Sequence, residues 1–280
     1  MTGAVALARA VATLKGAGIE SAATDARILL ADALGVDRAR LMLLTQDPLT
    51  NEAARKFESS IDARAQFQPV SQIIGYREFY GRRFTVTPDV LDPRPDTELL
   101  IDVALQEPFG SVLDLGTGTG CILLTLLAQS QAAGLATDIS DAALSVARRN
   151  AEALDLESRA QFLKSDWFAA VSPQRFDAIV SNPPYISSEA MERLAPDVRE
   201  WEPHLALTPG GDGLGPYVVL TQKAPQYLAP DGRLIVEIGY DQGPQVAKMF
   251  RDAGFSDVAI AQDISGHDRV VSGKLKQKLT

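Results

Sequence analysis

At 280 residues, with 46% hydrophobic and 22% charged side chains, the chain has an ordinary globular composition and enough length for two domains. A formal charge of −9 and a pI near 4.8 exclude a large nucleic-acid footprint, because neutralising phosphates takes a clustered basic surface. No apolar run approaches the ~18 residues of a membrane span, Cys121 has no disulfide partner, and His204 and His267 give no zinc-ligand spacing.

Arg9 and Lys15 interrupt the short apolar N-terminus, which predicts a soluble, cytoplasmic protein without a secretory signal. Residues 1–72 carry Ala and Leu at helical spacing, with Gly16, Gly18, Gly35 and Pro48 as breaks, and predict a small helical bundle. Its role is either packing or substrate docking. Eight basic and eight acidic residues balance over 1–75, so all of the net negative charge falls in the remainder. From 73 to 90, IIGYREFYGRRFTVTPDV alternates around Tyr80-Gly81 as a β-hairpin would, linking the bundle to a second domain over 91–280.

From Ser111 the rhythm becomes strand, helix, strand: SVLDL, CILLTLLAQ, GLATDI, DAALSVARRNAEAL, RAQFLKSD, FDAIVSN, GRLIVEIG. Repeated βα units predict a mostly parallel sheet covered by helices on both faces. VLDLGTGTGC follows the first of these strands and opens a helix, so Gly116, Gly118 and Gly120, with Thr117 and Thr119 between them, let backbone amides approach a ligand. A nicotinamide fingerprint would need a third small residue where Cys121 stands. Asp114 sits badly beside a pyrophosphate and suits a cofactor carrying an amine and a sulfonium. Asp138, ending the next strand, can accept from two ribose hydroxyls, or it caps the following helix. In KSDWF, Asp166 can accept from an adenine amine and Trp167 offers a flat surface, or fills the core. Three such features, each after a parallel strand, point to S-adenosylmethionine.

FDAIVSNPPYI ends a core strand with Asn182, Pro183, Pro184 and Tyr185. The prolines narrow the conformations open to Asn182. Its Oδ1 and the Pro183 carbonyl can accept from an NH2 group and stabilise the positive charge that the nitrogen gains, while Tyr185 stacks on a planar amide. The competing reading is a strand-terminating turn. Asn182 also adjoins the cofactor.

DLGTGTG followed by SNPPY resembles class I, Rossmann-like methyltransferases acting on planar amino or amide nitrogens. Further matches narrow the resemblance to the HemK/PrmC family: the 69–102 segment PVSQIIGYREFYGRRFTVTPDVLDPRPDTELLID with its P-R-P-x-T-E (Pro93, Arg94, Pro95, Thr97, Glu98), EPHLALTPGGDGL, and GHDRVVSG. The resemblance covers nearly the whole chain and implies a seven-stranded sheet, S-adenosylmethionine as cofactor, and methylation of the GGQ glutamine amide of class I peptide-chain release factors. It also implies docking of the release factor on the helical bundle, a pocket beside Tyr185 walled by 187–215, and Pro93 and Arg94 framing its other side; Arg94 could equally satisfy a nearby carboxylate. The 187–215 segment holds one short amphipathic helix candidate, around Met191 to Trp201. Asp92 and Asp96 depart from the family pattern, and Asp92 is expected near the surface. A ribosomal-protein glutamine and, less favoured by charge, a nucleobase amine are the alternative acceptors. No stable nucleic-acid binding, no membrane, no metal and a monomer are expected.

Overall fold

Thr2, Asp37 and Thr50 each stand just ahead of a helix, and their side-chain oxygens accept the free N–H groups of Val5, Ala39 and Ala53. They start the helices Gly3–Gly16, Arg38–Leu44 and Asn51–Ala65. With Ala22–Leu34 and Val70–Ile74, these enclose a core of Leu14, Leu29, Leu30, Leu41, Phe57 and Ile61. The computed structural model describes residues 1–276 and divides into two units. The first is Met1–Tyr76 together with Ala195–Trp201, a short stretch that the chain returns from much further along the sequence.

That stretch is held by specific contacts. Arg64, buried, donates from Nε to Asp25 at 2.7 Å, caps the carbonyls of Phe67 and Gln68, and reaches Asp197 at 3.6 Å. Trp201 Nε1 donates to the Gln66 carbonyl, and Gln72 Nε2 to the Trp201 carbonyl. The 187–215 segment, expected to hold one short helix around Met191–Trp201, holds three, Ser188–Met191, Pro196–Trp201 and His204–Leu207. Pro196 and Pro203 lack the N–H a continuing helix needs, so apolar spacing alone overstated its length.

The second unit starts at Arg77, one residue into β1, Tyr76–Phe79, which the two-residue turn Tyr80-Gly81, with both φ values positive, joins to β2, Arg82–Thr85. Asn150 fastens this hairpin: Oδ1 accepts Thr85 N, and Nδ2 donates to the carbonyls of Thr85 and Thr119. The main sheet contains β3 Ser111–Leu115, β4 Ala133–Asp138, β5 Ala160–Lys164, β6 Phe176–Ser181, β7 Leu228–Glu237, β8 Phe255–Gln262 and β9 Asp268–Leu275. Their order is β5-β4-β3-β6-β7-β9-β8. All neighbours are parallel except those involving β9. The strands read as continuous apolar runs because both faces are covered, by one core around Leu123, Ile101 and Ile122 and another around Tyr217, Phe250 and Leu220. This is the seven-stranded, mostly parallel, Rossmann-like architecture expected from the sequence.

Candidate active site

The chain leaves β3 towards β4 on one side and returns to β6 on the other, so a crevice opens at the carboxyl ends of β3 and β6. The two sequence motifs start there. Asp114 pairs in register with Val180, and Ser181 Oγ donates to the Leu115 carbonyl at 2.7 Å. The glycine turn and Asn182 therefore emerge side by side.

Within the turn, Gly116, Gly118 and Gly120 all have positive φ. Gly116 N and Thr117 N donate to the Thr137 carbonyl, and Gly118 N donates to Asp138 Oδ2 at 2.9 Å. Gly120 has a second reason: a Cβ there would lie 3.1 Å from Leu124 and 3.2 Å from Ala147, where the helices Cys121–Gln129 and Asp141–Ala153 approach. Asp138 Oδ1 accepts Ser140 N, while Ser140 Oγ caps the following helix by accepting Ala143 N. Asp138 is thus not the cap; its carboxylate braces the glycine turn and keeps lone pairs for a diol.

A cavity of about 220 Å³ lies over these strand ends. Gly116, Thr117, Gly118, Thr119, Asp138, Asp166 and Trp167 wall one part of it, and Pro93, Arg94, Asn182, Pro184, Leu205 and Ala206 another. Four expected site residues are off the wall. Asp114, Gly120 and Pro183 are buried, and Tyr185 is half-buried against the core with its carbonyl accepting Gln242 Nε2 at 3.1 Å. Burial raises the Tyr185 hydroxyl pKa, and the Glu237 carboxylate adds to this. Of the 187–215 segment, Pro203, Leu205 and Ala206 reach the cavity, whereas Ala195–Trp201 belongs to the helical unit.

Two buried carboxyls stand behind the cavity. Asp114 is fully buried, and desolvation pushes its pKa up to about 7 against the lowering effect of the 2.6 Å hydrogen bond from Thr117 Oγ. Its Oδ1 has no partner. A buried acceptor without a donor, beneath a glycine turn flanked by Asp138 and Trp167, fits a cofactor with a cationic amine, a ribose diol and a flat ring. Glu237, the last residue of β7, is also raised to about 7 by burial, with Thr97 and Asn182 hydrogen bonds opposing the shift. Asn182 Nδ2 donates to Thr97 Oγ1 at 3.3 Å. Sequence reasoning quoted both Thr97 and Glu237 inside motifs but gave neither a role. The available signal was an acidic residue closing the otherwise apolar run LIVEIG.

Arg94 is on the cavity wall and also paired: Nη2 donates to both Glu202 oxygens, at 2.8 and 2.6 Å. Asp92 is not at the surface. It is 6% exposed, with Arg77 at 3.9 Å supplying the charge that burial demands. Asp96 pairs with Arg269 at 3.1 Å. Among the described residues no cluster of three potential metal ligands occurs, and no helix is long and apolar enough to cross a membrane.

This sheet order, with a glycine turn after β3 and Asn-Pro-Pro-Tyr after β6, defines a class I methyltransferase. A methyltransferase structure from Pyrococcus furiosus shares the fold, with a TM-score of 0.55 at 19% identity over 82% of this chain and 100% of its own. The description "PrmC N-terminal domain" matches residues 5–75, and "Methyltransferase small domain" matches 89–206. A release factor glutamine methyltransferase of Cereibacter sphaeroides is 57% identical over 98% of this chain and 99% of its own length. Another of the same name, from Caulobacter vibrioides, is 44% identical over 93% and 92%. The chain belongs to the release factor glutamine methyltransferase family.

Proposed function

We propose that this protein transfers a methyl group from S-adenosylmethionine to the side-chain amide nitrogen, N5, of the glutamine in the GGQ motif of class I peptide-chain release factors, in support of translation termination. The observation that carries the reading is the adjacency of Asn182 to the glycine turn on one cavity, joined to family membership. An amide nitrogen is a weak nucleophile because its lone pair is delocalised, so placement does most of the work. When bound, the cofactor would supply an electrophilic methyl on a sulfonium, whose sulfur–methyl bond breaks to leave a neutral thioether.

The chain's residues then divide the task. Asp114, the glycine turn Gly116–Gly120, Asp138, Asp166 and Trp167 hold the cofactor. Asn182 Oδ1 and the Pro183 carbonyl accept the two N–H bonds of the target amide, orient its nitrogen, and stabilise the positive charge that develops as the nitrogen forms its bond to the methyl carbon. The nitrogen afterwards loses one proton to water, and no general base is needed. Pro184 flanks the planar amide, with Arg94 at the entrance and Tyr185 backing the segment from the core. The helical unit, 1–72, docks the release factor away from its GGQ loop, and the protein works as a cytoplasmic monomer.

The test is incubation with methyl-labelled S-adenosylmethionine and unmethylated release factor, followed by mass spectrometry of the factor's peptides. One methyl on the GGQ glutamine is the expected result. Cofactor binding with no transfer to the factor would overturn the substrate assignment and move it to a ribosomal-protein glutamine.

A further inference from the structure

An asparagine amide can face a substrate in two ways. With Oδ1 outward it accepts an N–H bond, and with Nδ2 outward it opposes one NH2 group to another. The Asn-Pro-Pro backbone does not choose between them; the groups behind Asn182 do. Thr97 Oγ1 lies 3.3 Å from Nδ2, and the Thr97 and Asn182 side chains both face the Glu237 carboxylate. The placement is built into the sheet. Val236 is in register with Ser181, so the residues that follow them, Glu237 at the end of β7 and Asn182 just past β6, are neighbours.

Glu237 is 2% exposed, ends the apolar run Leu234–Val236, and leaves Oε2 without a hydrogen-bond partner. Burying such a group without a partner for every lone pair is costly. Resting on the proposed reaction for what Asn182 touches, we propose that Glu237 is a positioning residue of the methyl-transfer site: with Thr97 it takes the N–H donors of Asn182 and turns Oδ1 towards the target amide.

Only the ionised carboxylate is a pure acceptor. Once protonated, Glu237 carries an O–H, and Asn182 can turn Oδ1 inward to receive it. The groups facing Glu237 are Asp96, which raises its pKa, Arg269, which lowers it, and the side chains of Tyr185, Tyr217 and Cys121. Among these, burial holds the Cys121 thiol up at about 12 and raises both tyrosines, so none of the three changes charge near neutrality.

The test pairs Glu237→Gln with the wild type on release factor at saturating cofactor, from about pH 5 to about pH 9. Wild-type kcat should fall below about pH 7, the value to which the Glu237 carboxyl is raised. The variant should lose about tenfold or more in kcat and lose that acid limb, with melting temperature and cofactor KM little changed. Thr97→Val, which keeps shape and removes one acceptor, should lower kcat several-fold and serves if Glu237→Gln does not fold. A second readout needs no substrate: the Asn182 side-chain NH2 resonances, identified by their loss in Asn182→Asp, should titrate near neutral pH in the wild type and not in Glu237→Gln. A folded Glu237→Gln enzyme with wild-type kcat and acid limb, or an Asn182 amide indifferent to pH, overturns the role. If the wild type methylates no release factor, the proposed function fails, while the amide titration still decides this inference.

Discussion

Arg94 Nη2 holds both carboxylate oxygens of Glu202 across 108 residues of chain. The Glu202 side chain is 2% exposed and that of Arg94 36% exposed, so the pair is a buried acid reached by a half-buried base. It ties the loop before the Pro95–Thr97 turn to the helix His204–Leu207, and both segments wall the cavity.

Arg94→Met should therefore cost about 1.5–3 kcal/mol, the range for a lost hydrogen bond to a charged group, read as a lower midpoint in urea. Adding Glu202→Leu should recover part of that loss. If methyl transfer stays low in the recovered double variant, Arg94 acts on the substrate as well as on Glu202. If it returns, Arg94 only shapes the wall.

Asn182→Ala should lower kcat by at least about two orders of magnitude, the scale of a missing positioned acceptor or donor at the transition state. Cofactor affinity should fall much less. Asp138→Ala should do the reverse, weakening cofactor binding first, because it removes both the proposed diol acceptor and the brace on Gly118 N. Calorimetric titration with cofactor and single-turnover transfer rates separate the two. An Asn182→Ala enzyme at full rate would remove the nitrogen-binding role.

The sheet was legible in the sequence because β3, β4 and β6 are short, apolar and bounded by clear punctuation. The glycine turn and Asn-Pro-Pro-Tyr were legible for the same reason: each interrupts a strand at the edge where ligands bind. Contacts made by distant segments were not. Asp92 looked like a surface residue because its partner, Arg77, stands across a hairpin. Ala195–Trp201 looked like part of the catalytic wall, since nothing local says that Trp201 Nε1 will donate to Gln66 in the helical unit. Glu237 was visible as a letter, but its orphaned oxygen and its Asn182 contact exist only once β6 and β7 pair.

Asp114 links proton uptake to both stability and binding. Its folded pKa, about 7, is raised above an ordinary carboxyl near 4, so its stabilising contribution is complete below the unfolded value and lost as pH rises through about 7. Asp114→Asn mimics the neutral form. The variant should match the wild type near about pH 4 and gain relative stability towards about pH 8, by at most about 4 kcal/mol. A cationic cofactor favours the ionised carboxylate, so binding near neutrality should release protons and tighten as pH rises. Calorimetry in buffers of different ionisation enthalpy measures the release. A release unchanged in Asp114→Asn would show that another group is responsible.

Gly213 separates backbone strain from site geometry. Its φ is +83°, and a Cβ there would lie 2.1 Å from the Tyr185 carbonyl oxygen, which also receives Gln242 Nε2. Gly210 has nearly the same φ, +81°, yet a Cβ there meets nothing within 4 Å. Both alanine variants should carry the left-handed penalty of about 1–2 kcal/mol. Only Gly213→Ala must also displace the Asn-Pro-Pro-Tyr segment, so it should lose about tenfold or more in transfer rate while Gly210→Ala stays near wild type. Both should bind cofactor normally, because the glycine turn, Asp138 and Trp167 leave other strands. Equal rates for the two variants would mean that the Tyr185 carbonyl can shift without moving Asn182.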